Sequence, residues 1–415
     1  MHVLFLHQSF PGQFGRLALH LKRCHGWQCS FLVEGPGSCP SPTAEELAEL
    51  PLHRVRRLER RITPWSETYA TSLEQAVAYH DALRALPDLR PDLVVSHQTL
   101  APTLFVRDLV CCPIVQYCEY YYAKSGSDIS YRIDLPPAPP AAFYPRCVNA
   151  PILVELTVAD GGYAPTHYQK QCFPERWRPK IEVHFDGVDT ELYRPRPVEP
   201  DEARALLGGR SVPEGTRVVT FVARGLESMR GFDLFMRVAR EVCRRRADVL
   251  FVVAGGEMSY YGWDRLRVGH DSFKEWVLSQ GDYDPSRFVF LGQVEPAHLA
   301  RVLCLSDLHV YLTVPFVPSW SLFDALACAR VVLAADVAPV REVIEPGVNG
   351  LVENLFDVEA LTATALRVLA DPAAHRPLGL AGRRLIKDRY SEEVCHPALK
   401  DYFERMASTT THTGP

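Results

Sequence analysis

Two arginines stand at a junction between a strand pattern and a helix pattern in the second half of the chain. Arg224 follows the apolar run 218–222, and Arg230 directly precedes Gly231 and a helical periodicity. Guanidinium groups on both sides of one strand–loop–helix connection can clamp a diphosphate and neutralise the charge that develops on it when a bond to it breaks. The alternative is a pair of solvated surface arginines, and the position after a strand favours the binding role.

A second anion site is predicted within residues 306–352. The apolar run 308–313 predicts a buried strand, a proline-containing loop follows it, and Ser319 or Ser321 is placed to cap the next helix. Unpaired backbone N–H groups and the positive end of the helix dipole make such a helix start an anion site. Asp324, one turn into the helix, can accept hydrogen bonds from hydroxyl groups. Anion and hydroxyl recognition together suggest a nucleoside diphosphate.

In the first half of the chain, polar residues follow two predicted strands. His97 ends the strand 93–96, and Glu119 comes soon after the strand 113–117 and precedes three consecutive tyrosines. A carboxylate among aromatic rings can bind a cationic group by charge and by cation–π contact. The alternative is that the tyrosines pack at the domain edge with their hydroxyls in water.

Several weaker patterns have ordinary explanations. Gly255 follows a strand, where its backbone can approach a ligand closely or simply form a turn. Gly12 and Gly15, with Glu34 downstream, form only an incomplete dinucleotide fingerprint, so no nicotinamide cofactor is expected. The acidic triplet 282–284 lies in a polar loop and is interpreted as a turn. The histidines lack metal-site spacing, and we therefore expect neither a metal nor another cofactor.

Composition and length limit the class of protein. A chain of 415 residues is too long for one core, and strand and helix patterns alternate in both halves, which favours parallel sheets. The net charge of −5 offers no basic field for nucleic acid. Apolar runs are far shorter than the roughly 20 residues of a membrane span, and the N-terminus has the pattern of a strand rather than a signal peptide. We therefore expect a cytoplasmic protein without membrane association.

The proline-rich break near residue 190 indicates a domain boundary. We predict an N-terminal doubly wound domain over residues 1–190 and a C-terminal doubly wound domain over residues 191–390. A C-terminal helix over 391–408 is expected to pack back on the N-terminal domain. The tail, 409–415, is expected to be disordered.

Taken together, eight motifs resemble one family, and the similarity runs from residue 1 to about 406. The motifs are HQSFPGQF (7–14), YCEYYY (117–122), APTHYQ (164–169), HFDGVDTELY (184–193), ARGLESMRGF (223–232), FLGQV (290–294), PFVPSWSLFDALACA (315–329) and APVREVIEPGVNGLV (338–352). The chain resembles retaining glycosyltransferases of the GT-B type, in glycosyltransferase family 4. The resemblance implies two Rossmann-like, doubly wound α/β domains that face a central cleft, with the nucleotide sugar held by the second domain and the acceptor by the first.

The resemblance also implies roles for individual residues. Arg224 and Arg230 would hold the diphosphate, and with Glu119 they form the predicted catalytic set. The predicted donor-contacting residues are Gly12, Gln13, Gly255, Gln293, Ser319, Trp320, Ser321, Leu322 and Asp324. The predicted acceptor-contacting residues are His97, Tyr120, Tyr121 and Tyr122. The family implies no metal.

The chain departs from the family pattern at five positions. The paired glutamates of the family fall at Phe316 and Asp324, so one ligand for the hydroxyls of the donor sugar is missing and an unusual or deoxygenated sugar is expected. Cys118 and Glu119 stand where many members have His-Asp, which moves the expected sugar contact to Glu119. Arg230 stands where many relatives have lysine.

The expected reaction is transfer of a sugar, with retained anomeric configuration, from a GDP or UDP sugar to a small natural-product acceptor that is cationic or carries a thiol. A sugar-nucleotide epimerase on the same fold and a non-catalytic sugar-nucleotide-binding protein are the alternatives. The basic stretch 53–61 leaves a membrane acceptor open, and the sequence also leaves a homodimer open.

Overall fold

The computed structural model describes residues 1–36, 48–55, 66–136 and 143–409, without the side chains of 66–68 and 129. It divides into two compact units. The N-terminal unit comprises Met1–Ala123, Ala142–Gly187 and Glu392–Pro415, and the C-terminal unit comprises Lys124–Ala141 and Val188–Ser391. The predicted disordered tail lies, beyond Thr409, outside the described residues, as does most of the basic stretch 53–61.

The N-terminal unit is a seven-stranded parallel sheet flanked by helices. Its elements are β1 (His2–Phe10), α1 (Gly15–His25), β2 (Gln28–Pro36), β3 (Leu52–Arg54), α2 (Ser66–Arg84), β4 (Leu93–His97), β5 (Ile114–Tyr117), α3 (Tyr144–Val158), β6 (Gly161–Ala164), α4 (His167–Cys172), β7 (Ile181–Val183) and, at the end of the chain, α14 (Glu392–Ala407). The strand order is β3-β2-β1-β4-β5-β6-β7.

The most apolar strands lie at the centre of this sheet. The central strands β1 and β4 are apolar runs that lie between two helix layers, so both faces of each are removed from water. On one face, Leu399 and Phe403 of α14 join the cluster around Phe5 and Phe31, and Tyr402 donates a hydrogen bond to the carbonyl of Gly162 (3.0 Å). The last helix of the chain is therefore part of the N-terminal unit.

The C-terminal unit contains a six-stranded parallel sheet. Its elements are α5 (Pro200–Leu206), β8 (Arg217–Gly225), α6 (Phe232–Arg245), β9 (Val249–Gly256), α7 (Asp264–Val268), α8 (Phe273–Ser279), β10 (Phe288–Gly292), α9 (Pro296–Cys304), β11 (Leu308–Tyr311), α10 (Trp320–Ala327), β12 (Val332–Ala335), α11 (Ala338–Arg341), β13 (Leu351–Glu353), α12 (Val358–Ala370) and α13 (Pro372–Leu385). The strand order is β10-β9-β8-β11-β12-β13.

In this sheet, β8 and β11 are central neighbours, and each is followed by a loop that leads into a helix. Because the two strands are parallel, both loops lie at the same, carboxyl edge of the sheet. The strand order reverses between β8 and β11, which is where open α/β sheets bind ligands. The α/β prediction with two doubly wound halves is confirmed by this architecture.

The four strands predicted above are confirmed with small shifts in their ends, as β4, β5, β8 and β11. Pro145 lies in the first turn of α3, where a missing N–H costs nothing. The strand β6 was not predicted, since Gly161 and Gly162 have weak strand propensity.

Residues 124–136 belong to a different unit from the one predicted. They lie between β5 and α3 in the chain, within the predicted domain 1–190, yet they pack within the C-terminal unit. Within the described part of the chain, no helix has the length and apolar character to cross a membrane.

Candidate functional site

The first predicted arginine lies where the strands β8, β9 and β10 end. Arg224 is exposed at the end of β8, and its guanidinium stacks 3.9 Å from the centre of the Tyr260 ring. The Gln293 amide nitrogen lies 3.5 Å from the Tyr260 hydroxyl. The tyrosine therefore holds Arg224 by cation–π contact while the donor groups of the guanidinium remain accessible to an anion.

The second arginine is held on several sides. Arg230 ends the 3-10 turn Ser228–Arg230, is only 8% exposed, and donates a hydrogen bond to the carbonyl of Val317 (3.2 Å). The rings of Tyr261 and Phe316 lie 5.5 and 5.7 Å from the guanidinium carbon. A buried cation between two aromatic faces has little freedom to reorient, so its charge is directed before any ligand binds.

Phe316 occupies the position of the missing family glutamate. Its ring is buried and packs at 5.1 Å and 60° against Tyr261. The substitution therefore replaces a carboxylate by part of the aromatic enclosure of Arg230. The two departures from the family pattern, Arg230 for lysine and Phe316 for glutamate, are mutually consistent. A guanidinium stacks on an aromatic face better than an ammonium group does.

Glu227 is a functional candidate that was not predicted. Its side chain is fully buried, and one carboxylate oxygen accepts hydrogen bonds from the backbone N–H groups of Tyr260 (2.6 Å) and Tyr261 (2.8 Å). The other oxygen, Oε1, lies 3.8 Å from Nε of Arg230, and neither of these two atoms has a hydrogen-bond partner among the described residues. Glu227 thus fixes the tyrosine pair and faces the cation. Its position in the ARGLESMRGF motif was the available sequence signal.

Burial raises the pKa of Glu227 from 4.5 to about 7, although Arg230 and the two N–H groups oppose the rise. The folded protein therefore binds this proton more tightly than the unfolded chain does. The resulting contribution to the free energy of unfolding is complete below pH 4.5 and is lost as the pH rises to about 7. Its size is about 3 kcal/mol.

We predict that Glu227→Gln removes this pH dependence, because an amide does not ionise. The free energy of unfolding, measured by urea titration, should fall for the natural protein relative to the variant by about 3 kcal/mol across the window from pH 4.5 to about 7. The similarly raised pKa of Glu155 in the N-terminal unit is common to both proteins and cancels. Glu359→Gln is the control, since Arg245 lowers the pKa of Glu359 below that window. A constant difference between natural protein and Glu227→Gln would contradict the assignment.

The predicted helix start is present, and Ser319 rather than Ser321 caps it. Ser319 Oγ accepts a hydrogen bond from the N–H of Ser321 (3.4 Å), and its own N–H donates to the hydroxyl of Tyr311 (2.8 Å). Leu322 and Asp324 are buried in α10, and Trp320 is 43% exposed. The Arg230 contact at Val317 lies two residues before the cap. The arginine turn and the helix start are thus neighbours.

The packing of the protein itself explains why residue 255 is a glycine. A Cβ there would lie 2.5 Å from the carbonyl oxygen of Ala223. Glycine is therefore required for the close packing of the β8 and β9 ends, and its predicted nucleotide contact stays a prediction. Among the described residues, no group of three or more His, Cys, Asp or Glu side chains is arranged to hold a metal ion.

In the N-terminal unit, two histidines and a carboxylate meet at the carboxyl ends of β1, β4 and β5. The buried rings of His7 and His97 contact each other at 5.5 Å and 83°, and His97 Nε2 lies 3.5 Å from Glu119 Oε2. Burial, with His97 nearby, lowers the pKa of His7 to about 4, so His7 is neutral at pH 7. His7 was not predicted as a site residue, although it opens the HQSFPGQF motif.

Gly12 lies against this histidine. Its φ is +55°, and a Cβ there would be 2.6 Å from His7 Nδ1. The glycine thus leaves room for the imidazole, which the incomplete dinucleotide pattern did not indicate. Gln13 follows it in the short 3-10 helix Gly12–Phe14 and contributes to the environment of His7 as a hydrogen-bond partner.

The three consecutive tyrosines, residues 120–122, mainly pack against other aromatic rings. Tyr120 is buried, Tyr122 contacts Tyr120 (5.1 Å) and Tyr144 (5.5 Å), and Tyr121 contacts Phe173 (5.6 Å). Burial raises the pKa of Tyr121. This arrangement favours the packing alternative for the rings, while Glu119 keeps a side chain that is 26% exposed. Acceptor contacts by these residues stay predictions.

The two parallel sheets flanked by helices define a doubly wound α/β protein, and the strand ends of the C-terminal sheet carry two guanidinium groups beside a helix N-terminus. Residues 26–193 match the family described as glycosyl transferase family 4 group, and residues 216–371 match the glycosyl transferases group 1. The chain belongs to the glycosyltransferases of the family 4 group.

Relatives and solved structures are consistent with this family. The D-inositol 3-phosphate glycosyltransferase of Rhodococcus opacus (strain B4) is 29% identical over 242 residues, which are 57% of this chain and 50% of the relative. The chain thus spans about half the length of the curated relatives it matches. The sucrose-phosphate synthase of Thermosynechococcus elongatus (TM-score 0.72) and Anabaena Alr3699/HepE in complex with UDP-glucose (TM-score 0.71) are each 16% identical, and the matches cover 98% of this chain and 99% and 100% of theirs. At this identity they show the fold.

Proposed function

We propose that this protein is a retaining glycosyltransferase that moves a sugar from a GDP or UDP sugar to a small-molecule acceptor. One observation carries the proposal. The guanidinium of Arg230 is bound to the carbonyl of Val317, two residues before the cap of α10. A fixed cation therefore adjoins the positive end of a helix dipole, and both features favour the binding of a diphosphate.

In this proposal the charge of the departing diphosphate is balanced by the protein itself. Arg224, on Tyr260, and Arg230, in its aromatic enclosure, supply two cations at the carboxyl edge of the sheet. We infer that they replace the divalent cation that would otherwise balance the leaving group, so that turnover requires no metal. Asp324 would bind ribose hydroxyls, as the family resemblance implies.

The chemical step is a substitution at the anomeric carbon. The bond from this carbon to the diphosphate oxygen breaks, and a bond to an acceptor atom forms on the same face. The proton of the acceptor passes to the departing phosphate oxygen. Guanidinium charge and helix N–H groups stabilise the diphosphate as it leaves, so that most of the rate arises from preorganised electrostatics and orientation.

The acceptor is proposed to bind the N-terminal unit near His97 and Glu119. The Glu119 side chain is 26% exposed and lies 3.5 Å from the buried His97 ring, so its carboxylate can be reached by a ligand. A carboxylate suits a polar acceptor that is cationic or carries hydroxyls or a thiol, and the similar D-inositol 3-phosphate glycosyltransferases by name act on a small polyol phosphate. An acceptor panel should therefore contain an inositol phosphate, an aminocyclitol and a betaine-like thiol.

The test begins with a metal-free thermal-shift screen of UDP, GDP, ADP, dTDP and CDP. A nucleotide at about 100 times its Kd adds about 2.7 kcal/mol to the free energy of unfolding, which raises Tm by a few degrees. We expect one clear responder, unaffected by EDTA. The absence of any responder would remove the main support for the proposal.

The corresponding nucleotide sugar is then incubated with and without the acceptor panel. Glycosyl transfer requires an acceptor and gives a product with the anomeric configuration of the donor. Conversion of the donor sugar without acceptor would indicate an epimerase instead. Stable binding with no conversion under any condition would indicate a sugar-nucleotide-binding protein.

A further inference from the structure

Residues 124–136, which we name the strap, contact both segments that hold Arg230. The backbone N–H of Asp128 donates to the carbonyl of Pro315 (2.9 Å), directly before Phe316. Further along, Tyr131 stacks on Phe356 (5.6 Å). The strap is therefore seated on the C-terminal unit at the side of the aromatic enclosure.

Arg132 is the centre of the strap. Its side chain is fully buried, and NH1 donates to the carbonyl of Ser228 (2.6 Å), the first residue of the turn that ends at Arg230. The same guanidinium makes a two-bond contact with Asp233 (2.6 and 2.9 Å) in the first turn of α6 and another with Asp134 (2.8 and 2.9 Å). One guanidinium thus joins the turn to the helix that follows it.

The Ser228 peptide is held from its other side as well. Its N–H donates to Asp264 (2.8 Å), and its carbonyl also accepts from the N–H of Gly231 (3.0 Å). Since Arg230 lies between Ser228 and Gly231, a displacement of the Ser228 carbonyl would rotate the peptide that carries the Arg230 side chain. The hydrogen bond from Arg132 to the Ser228 carbonyl therefore constrains the backbone that orients the Arg230 side chain.

Stability alone does not require an arginine at this position. Burying an arginine between two carboxylates costs desolvation that the ion pairs roughly offset, and apolar side chains of similar volume often serve stability equally well. A planar group with five donors is needed, however, to bind two carboxylates and a carbonyl in fixed directions.

We propose that Arg132 is a positioning residue for the nucleoside diphosphate site, acting through the Ser228 carbonyl on the direction of Arg230. This inference rests on the proposed function. Arg132 itself touches no substrate, and its effect is confined to the phosphate end of the ligand.

The first experiment needs no ligand. Hydrogen–deuterium exchange of the natural protein is compared with Arg132→Gln, which keeps an amide donor but cannot bind two carboxylates. The peptide over residues 227–231 should exchange roughly tenfold faster in the variant, because local opening there becomes easier. The peptide over α9, residues 296–304, should be unchanged. The matched control is Arg301→Gln, since Arg301 also binds one carboxylate through two bonds (Glu202, 2.6 and 2.7 Å) and a backbone carbonyl (Pro197, 2.6 Å).

The second experiment measures Kd for the responding nucleoside diphosphate and for the same nucleoside without phosphate. Arg132→Gln should weaken the diphosphate roughly tenfold and leave nucleoside affinity within about twofold, whereas Arg301→Gln should change neither. The inference would be overturned if the natural protein and Arg132→Gln bound the nucleoside diphosphate with equal affinity. It would also be overturned if Arg132→Gln lost affinity equally for the nucleoside and for the diphosphate. If Arg132→Gln does not fold, Asp134→Asn decides by the same two readouts, with a smaller loss of about threefold expected.

The two proposals fail in different ways. If the natural protein binds no nucleoside diphosphate, the proposed function fails, and the exchange experiment still tests whether Arg132 orders the turn. If the natural protein binds the diphosphate but the exchange of 227–231 is unchanged in Arg132→Gln, the positioning role fails and the proposed function stands.

Discussion

Replacement of Arg230 by alanine is expected to weaken nucleoside diphosphate binding about 100-fold, which corresponds to about 2.7 kcal/mol. Hydrogen bonds to charged groups contribute about 1.5–3 kcal/mol, and this guanidinium is buried, so its charge is little screened by solvent. The loss should appear in Kd from calorimetry and, once the acceptor is identified, at least equally in kcat/KM, because the diphosphate gains charge as it leaves.

Two variants sharpen this test. Arg245→Ala removes an exposed arginine from α6 that pairs with Glu359, and it should leave nucleotide affinity unchanged. Arg230→Lys should recover most of the affinity, to within about tenfold of the natural protein, because many relatives of the family carry lysine at this position and a point charge still binds phosphate. Near-natural affinity in Arg230→Ala would show that the phosphates lie elsewhere.

The position of both predicted anion sites followed from residue order alone. A strand that feeds a loop and then a helix puts the loop at the carboxyl edge of a parallel sheet, whatever the details of packing. The strand and helix patterns were therefore enough to place Arg224, Arg230 and Ser319 at that edge. The cap could not be chosen between Ser319 and Ser321, because both hydroxyls are within reach of the first turn.

The surroundings of these residues were not predictable in the same way. Glu227 faces Arg230 only because the loop after β9 brings the Tyr260 and Tyr261 peptides to its carboxylate. Arg132 reaches Ser228 from 96 residues away in the sequence. Contacts of this kind depend on tertiary packing, and periodicity carries no record of them.

Gly12 and Gly255 were predicted from the sequence to contact a ligand, and in the structure each lies against another part of the protein. Gly12 makes room for the His7 ring, and Gly255 makes room for the Ala223 carbonyl. From sequence, a glycine that must approach a phosphate and a glycine that must approach another part of the protein are indistinguishable, because both need only the missing Cβ. The proposed phosphate site thus rests on the two arginines and the helix start, and the glycines alone do not argue for it.

Gly231→Ala is expected to lower the free energy of unfolding by at least about 4 kcal/mol. Gly231 has φ of +73°, and a Cβ there would lie 2.4 Å from the carbonyl oxygen of Leu312, which is backbone and cannot swing away. The same contact brings the turn that carries Arg230 against the segment that leads from β11 to α10. Relief of the clash would therefore separate the two loops that are predicted to bind an anion.

Gly208→Ala is the matched control, because Gly208 has a similar φ of +65° in the same unit but no neighbour within 4 Å of the added Cβ. It should cost only about 1 kcal/mol for the left-handed conformation. Urea titration of both variants separates the conformational cost from the clash. Equal losses would mean that the Leu312 segment yields freely. If it does not yield, any folded Gly231→Ala protein should also bind nucleoside diphosphate far more weakly than Gly208→Ala, since the close contact of the loops is what brings the Arg230 cation to the helix start.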